Sequence, residues 1–442
     1  RVLYKLTQKK GGKFIYAAPF VRLMKYYGIN GIGFNSEFHT SADVMTQLTE
    51  FFVECHKEAK KIDWKFEVHW YDGTDDRGSI HFDGGLGDHN KKIFGDKDNI
   101  ATDMLFANYN WGNWHLNGSV STANRLGRSS FDYYAGFDIQ GRALRNNNWS
   151  ALLNNNISIG FWGAHSQSLI HQSATDDGTS DIAIQKAYLK KQELIFSGGN
   201  NNPGYLPGIN TNCTLANSSL KNFHGLATFL TAKSTIQQIP FVSRFNLGNG
   251  LSFRKDGQVA FDHKWYNLNT QDFMPTWRWW ITDSNDEVNG SNINGLVKAE
   301  LTFDDAYWGG SCLSLSGQTD FSRVKLFKTM LEVQPDYEFS VTYKTLKGTD
   351  SHAKLFVALK DHTTDYKQVD LPATETAGKW STFTVKASDL GLAAGDKVAM
   401  MGLVVENSPA DYQLHVGEMA LRNSTQLFNT ATPTIKQVQV LR

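Results

Sequence analysis

No apolar run in these 442 residues approaches the roughly 20 that a helix needs to cross a bilayer. No secretory leader is visible, and the chain starts at Arg1 rather than Met, so an upstream segment is expected. Cysteine is scarce. Cys55, Cys213 and Cys312 are far apart and odd in number, which leaves neither metal-ligand spacing nor a disulfide framework and reads as buried thiols. Net charge is missing too: 44 basic residues balance 44 acidic ones, so nothing points to nucleic acid or an anionic membrane as partner. There is no Gly-x-Ser-x-Gly elbow, no phosphate loop and no convincing internal repeat. Asn117, Asn156 and Asn423 head glycosylation sequons of the kind that chance supplies in an Asn-rich chain.

What is present is length, for two or three soluble domains, and aromatic residues, at 13% with 12 Trp. Sugar rings present flat C–H faces that stack on such side chains, although ordinary core packing uses them as well. From the start to about residue 205, apolar runs (INGIGFNSE, WKFEVHWYD, TDMLFANYNW, FDYYAGFDIQG, ISIGFWGAHS) alternate with longer polar or helical stretches. Ala18 to Tyr27 has helical spacing through Phe20, Leu23, Met24 and Tyr27 and stops at Gly28. Ala42 to Lys61 is amphipathic through Val44, Met45, Leu48, Phe51, Phe52 and Cys55, as a crossover helix would be. Asp181 to Phe196 reads as one more helix. The alternation predicts a parallel sheet with helices outside it. Each run ends in groups able to do polar chemistry or stack a ring: Asn35/Glu37, Tyr71/Asp72, Asn108/Tyr109/Trp111, Asp138/Gln140/Arg142, Trp162/His165. Five strands are too few for an eight-stranded barrel, so either the sheet is open or three strands precede Arg1. The cluster SGGNNNPGYLPGINTN marks a boundary. Beyond residue 220 short alternating runs such as KLFVALKD and WSTFTVKAS predict an antiparallel β-sandwich, here over 220–422, with 423–442 a linker or the start of a further segment.

Asn35 and Glu37 are the sharpest chemical feature. In a strand of period two, Gly33, Asn35 and Glu37 share one face, and Ile32, Phe34 and Ser36 the other. An amide and an acid thus point the same way at a strand end, where α/β folds place their chemistry. His69 and His165 lack partners at ligand or triad spacing and read as structural. PTWRWW, Pro275 to Trp280, lies in the sandwich part and reads as packing.

The run KYYGINGIGFNSEF, followed in order by VHWYD, FANYNW, YYAGFDIQGR, FNLGNG and QDFMPTWRWW, resembles glycoside hydrolase family 85 across about residues 1 to 320. The resemblance implies an α/β catalytic (β/α)8 TIM barrel over about 1–205, its first three strands upstream of Arg1, followed by the jelly-roll-like sandwich that LTFDDAYWGGSCLSLSG also resembles. It implies an endo-β-N-acetylglucosaminidase, retaining and without metal or cofactor, in which the 2-acetamido group of the sugar is the nucleophile. Glu37 would be general acid and then base, with a pKa raised in a semi-enclosed pocket, and Asn35 would orient the acetamido group. Tyr71 would hydrogen-bond that group. Trp111 would line the sugar site, with Asn108, Tyr109, Asp138 and Trp162 as glycan contacts. Relatives often carry Trp where this chain has Phe82, on the acceptor side. The implied partners are N-glycans of glycoproteins or glycopeptides, acted on by a monomer. A secreted or cell-surface bacterial setting fits the appended sandwich, with a cytosolic one as the alternative. A chitinase-like hydrolase and a non-catalytic lectin are the rival readings; the first usually ends in Asp-x-Glu, and Gly31 to Glu37 lacks the aspartates.

Overall fold

The computed structural model describes residues 2–138, 149–163, 180–197, 225–226, 230, 233–284 and 295–423. The chain divides into two units. Arg1–Asp177 with Thr211–Phe223 forms the first, and Gly178–Asn210 with His224–Arg442 the second. The helix Asp181–Ser197, which the sequence alternation places with the barrel, therefore groups with the second unit.

In the first unit α1 (Ala17–Tyr26) leads through Gly28, at φ 69°, into β1 (Gly31–Phe34). The expected apolar stripe of α1 is only half used: Ala17 and Val21 are buried, whereas Leu23 and Tyr27 stay exposed. Its neighbour sets the buried face, because Phe20 packs on Phe51 and Phe66. That Phe51 belongs to α2 (Ala42–Lys61), which starts where the Ser41 hydroxyl accepts from Val44 N. Its buried Met45, Leu48, Phe51, Phe52 and Cys55 recur every three or four residues, as the sequence predicted. This stripe meets the even-numbered face of the sheet, with Phe52 against Phe34 and Trp70 at ring separations of 5.2 and 6.3 Å. Burying an aromatic ring of this size contributes about 1.5–3 kcal/mol.

β2 (Glu67–Tyr71), β3 (Met104–Phe106), β4 (Tyr133–Asp138) and β5 (Ser158–Trp162) follow, with α3 (Asn113–Arg125) before β4. All five strands lie side by side in chain order and pair in parallel. The register Gly33↔His69 and Phe34↔Trp70 fixes which side chains share a face.

The second unit begins with α4 (Asp181–Ser197) and is otherwise antiparallel. Besides two short two-stranded ribbons within 249–266, the strands of its two large sheets are, in chain order, β6 (Phe241–Ser243), β7 (Trp280–Thr282), β8 (Lys298–Thr302), β9 (Cys312–Ser316), β10 (Thr319–Glu332), β11 (Glu338–Thr345), β12 (Ala353–Leu359), β13 (His362–Asp370), β14 (Ser381–Lys386), β15 (Lys397–Ser408) and β16 (Gln413–Arg422). One sheet runs β7-β10-β15-β12-β13 and the other β8-β9-β16-β11-β14, with β6 on β16. Leu313, Val341 and Val416 from one sheet and Leu326, Val357 and Leu403 from the other are buried in one core, which is the expected sandwich. The Trp-rich segment packs as the sequence suggested. Trp277 is buried beside Phe356 and Met400, and Trp279 Nε1 donates to Glu193 of α4 at 3.0 Å. Cys55 and Cys312 are buried free thiols, pushed up by burial, while Cys213 lies outside the described residues.

Candidate active site

β1 ends at Phe34, and the next residues keep the strand's alternation: Asn35 and Glu37 are exposed, while Ser36 between them is fully buried. The buried member anchors the exposed pair. Ser36 Oγ donates to the carbonyl of Tyr71, and its own carbonyl accepts from Thr74 N at 2.5 Å. Thr74 Oγ1 lies 2.6 and 2.7 Å from the carbonyls of Ser36 and Phe38 and accepts from Phe38 N at 3.1 Å. The segment after β2 thereby grips the segment after β1 on both sides of Glu37. Gly73 allows the approach, since a Cβ there would sit 2.4 Å from the Ser36 carbonyl oxygen and 3.5 Å from Glu37 Cγ.

Odd-numbered positions of the first strands continue this face into a cleft of about 610 Å³. Its lining includes Asn35, Glu37, His69, Tyr71, Met104, Phe106, Tyr109, Asp138 and Trp162. Tyr71 is the centre of the aromatic wall, 6.0 to 6.2 Å from the rings of Phe82, Phe106 and Tyr109. Its hydroxyl donates to Asn108 Oδ1 at 2.8 Å, and Asn108 Nδ2 donates to Asn110 Oδ1 at 3.0 Å. Burial, together with the charges of Asp138 and Glu37 and the neighbouring Tyr71, holds the Tyr109 phenol protonated well above its ordinary range. Gly160 makes room for Phe106, whose ring would lie 2.4 Å from a Cβ at that position.

Asp72, next to Tyr71, turns the other way and is buried. It accepts from Gly84 N at 2.6 Å, Asn90 Nδ2 at 3.1 Å and Asn108 N at 3.3 Å. Burial raises its carboxyl to about 7 despite those three donors. One carboxylate thus ties the loop after β2 to the start of the loop after β3.

The structure brings Asn35, Glu37, Tyr71, Tyr109, Asp138 and Trp162 around one cleft. Trp111 and Asn108 stand apart from its lining. Trp111 is 4% exposed, donates Nε1 to the Gly136 carbonyl at 2.8 Å and packs edge-on against Phe137. A ring buried beneath the strand ends shapes the wall without offering a stacking face. Asn108 is also buried, behind Tyr71. Phe82 is 39% exposed and meets the site through the Tyr71 ring. Glu37 is exposed and lines the cleft. His69, expected to be structural, lines the cleft and pairs with Glu67 at 3.3 Å. Its signal was legible: it stands two residues before Tyr71 and so shares that face. Gln140, Arg142 and His165 lie outside the described residues. A second cleft, of about 530 Å³, is lined by residues such as Glu50, Glu54, Lys57 and Lys92 and by none from the parallel sheet. Among the described residues one trio, His81, Asp83 and His89, gathers metal-type ligand atoms within 4.8 Å. It belongs to the loop after β2, not to the cleft lining.

Similarity to known proteins agrees with this arrangement. The chain is 25% identical over 321 residues to a cytosolic endo-beta-N-acetylglucosaminidase of Mus musculus, covering 71% of this chain and 37% of that protein. The Homo sapiens protein of the same name is 26% identical over 290 residues, covering 64% and 32%. The chain thus spans roughly a third of the length of these relatives. The glycoside hydrolase domain of Endo-D from Streptococcus pneumoniae R6 shares the fold over 96% of this chain and 63% of its own, with a TM-score of 0.76 at 24% identity. The model of glycosyl hydrolase family 85 matches residues 2–253, which include every residue of the cleft, and the chain belongs to that family.

Proposed function

We propose that the protein is an endo-β-N-acetylglucosaminidase that cuts the β-1,4 bond of the N,N'-diacetylchitobiose core of N-linked glycans. The observation that carries this reading is the anchored pair: Glu37 and Asn35 face one cleft with an aromatic wall, from a segment pinned by Ser36 and Thr74. The names of the mouse and human relatives agree with it.

The reaction is a double displacement whose nucleophile belongs to the substrate. Glu37 gives its proton to the leaving glycosidic oxygen as the 2-acetamido oxygen attacks C1, so that the C1–O bond breaks and an oxazolinium ion forms. Asn35 accepts from the acetamido N–H and aligns it for that attack, stabilising the charge that develops there. The Glu37 carboxylate then removes a proton from water, the water attacks C1 from the vacated side, and the oxazoline ring opens with retention. Tyr71, oriented by Asn108, bonds the acetamido group, and Tyr109 and Trp162 supply faces for sugar rings. A sugar hydroxyl in place of water would give transglycosylation by the same step.

We assign the five parallel strands to the later part of a (β/α)8 barrel whose catalytic region, expected over 1–205, ends before the helix Asp181–Ser197, with 220–422 a sandwich and 423–442 a linker or a further segment. The working unit is read as a monomer. The similar proteins of mouse and human are named cytosolic, which favours the cytosolic alternative over the secreted setting read from the sandwich. Among the described residues no helix is long and apolar enough to cross a membrane.

Mass spectrometry of a glycoprotein substrate tests the reading. Wild-type chain, with any upstream segment of the natural protein, should leave a single N-acetylglucosamine on Asn, and Glu37→Gln should not. Release by Glu37→Gln at the wild-type rate, or cleavage of chitin oligomers in preference to glycopeptide, would sink it.

A further inference from the structure

We propose that His81, Asp83 and His89 form a binding site for one divalent transition-metal ion of zinc's class, which braces the loop carrying Phe82. His81 Nδ1 and His89 Nδ1 approach the same oxygen, Asp83 Oδ1, at 2.8 and 3.0 Å. The two imidazole rings meet edge-on, 4.5 Å apart. Asp83 Oδ2 is buried and has no hydrogen-bond partner among the described residues. A buried carboxylate oxygen left unpaired is costly, and a cation held between the two imidazoles and shared by both oxygens of Asp83 would satisfy it.

Two imidazoles and a carboxylate are a common zinc donor set, with a solvent molecule completing the tetrahedron. Bonds of about 2.0–2.2 Å to such an ion imply ligand–ligand edges of roughly 3.3–3.5 Å. The present N···O separations of 2.8 and 3.0 Å would have to open by about 0.3–0.7 Å. His81 and His89 side chains are 46% and 38% exposed, which gives an ion a path in.

The trio does not depend on the ion for its placement. Asp72 accepts from Gly84 N and Asn90 Nδ2, one residue beyond Asp83 and His89 respectively, and His81 N donates to the Gly73 carbonyl at 2.7 Å. This pre-built frame lowers the ordering cost of binding. Phe82 sits between two of the ligands, its carbonyl taking Asn110 Nδ2 at 3.0 Å and its ring 6.0 Å from Tyr71. An ion would hold that ring in place beside the cleft.

Binding, not activity, is the readout. Full-length chain stripped with chelator, dialysed and then loaded with zinc should retain about one equivalent after gel filtration. Cobalt in its place should give the visible absorption of a tetrahedral site. The double variant His81→Gln/His89→Gln should weaken retention by more than the roughly 10–100-fold that loss of an outer-shell partner brings. Its fold is checked by circular dichroism, and Asp83→Asn serves as a second variant with the same expected loss. Hydrogen exchange of amides in residues 76–90 should slow on zinc addition in the wild type alone. Equal zinc retention by wild type and variants, or none by either, would overturn the site. Zinc bound with no slowing of exchange would overturn the bracing role.

Discussion

Replacing Glu37 by Gln keeps its size and removes its transferable proton, so glycan release should fall by about 10²–10⁴-fold, measured as rate by mass spectrometry. Asn35→Ala should also lose hydrolysis but keep part of its use of a preformed sugar oxazoline, since that donor has already passed the step the amide assists. Equal loss of both activities would contradict the assigned roles. Asp72 makes a different prediction. Its folded-state carboxyl at about 7 lies above the unfolded value of about 3.9, so the native chain holds this proton more tightly. The stabilisation from it is complete below about pH 4 and is lost as pH rises through 7. Asp72→Asn cannot titrate. The difference in thermal midpoint between wild type and Asp72→Asn should therefore shrink as pH rises from about 4 to 8, and a flat difference would argue against a raised carboxyl.

Between elements, the contact that matters most joins the ends of β1 and β2. Thr74→Val keeps shape but removes the hydroxyl that serves Ser36 and Phe38, at a cost of about 1–3 kcal/mol for the buried groups left unpaired. Gly73→Ala forces a Cβ against the Ser36 carbonyl and should cost a similar amount, because backbone rather than a flexible side chain must move. Both variants should lower kcat more than they raise KM if the segment positions the acid, and denaturant melts give the stability loss alongside. The period-two pattern of GINGIGFNSEF was enough to place Asn35 and Glu37 on one face, and the burial of Ser36 follows from the same rule. What the pattern could not reveal is reach across the sheet. That Trp111 is held beneath the strand ends by the carbonyl of Gly136, 25 residues on, has no local sign in the sequence. His81, Asp83 and His89 converge only because Asp72 folds their loop back, a tertiary contact with no local spacing rule.

At the scale of the whole chain, the change from helix-strand alternation to short alternating runs was legible, and it corresponds to a five-stranded parallel sheet and an antiparallel sandwich. The allegiance of Asp181–Ser197 was not, since an amphipathic helix carries no mark of which sheet it serves. Each unit buries its own core. Phe327→Ala, which empties a fully buried position among Phe241 and Phe245, should cost about 3–5 kcal/mol in a denaturant melt while leaving the Glu37 chemistry unchanged in native buffer.

The single buried serine between the amide and the acid has a consequence for enzyme engineering. On the proposed mechanism both groups hang from one clasp, so a backbone change there would retime bond cleavage and water attack together. A synthase that builds glycans without trimming them has to be sought by exchanging the Asn35 side chain, with the loop around it left alone.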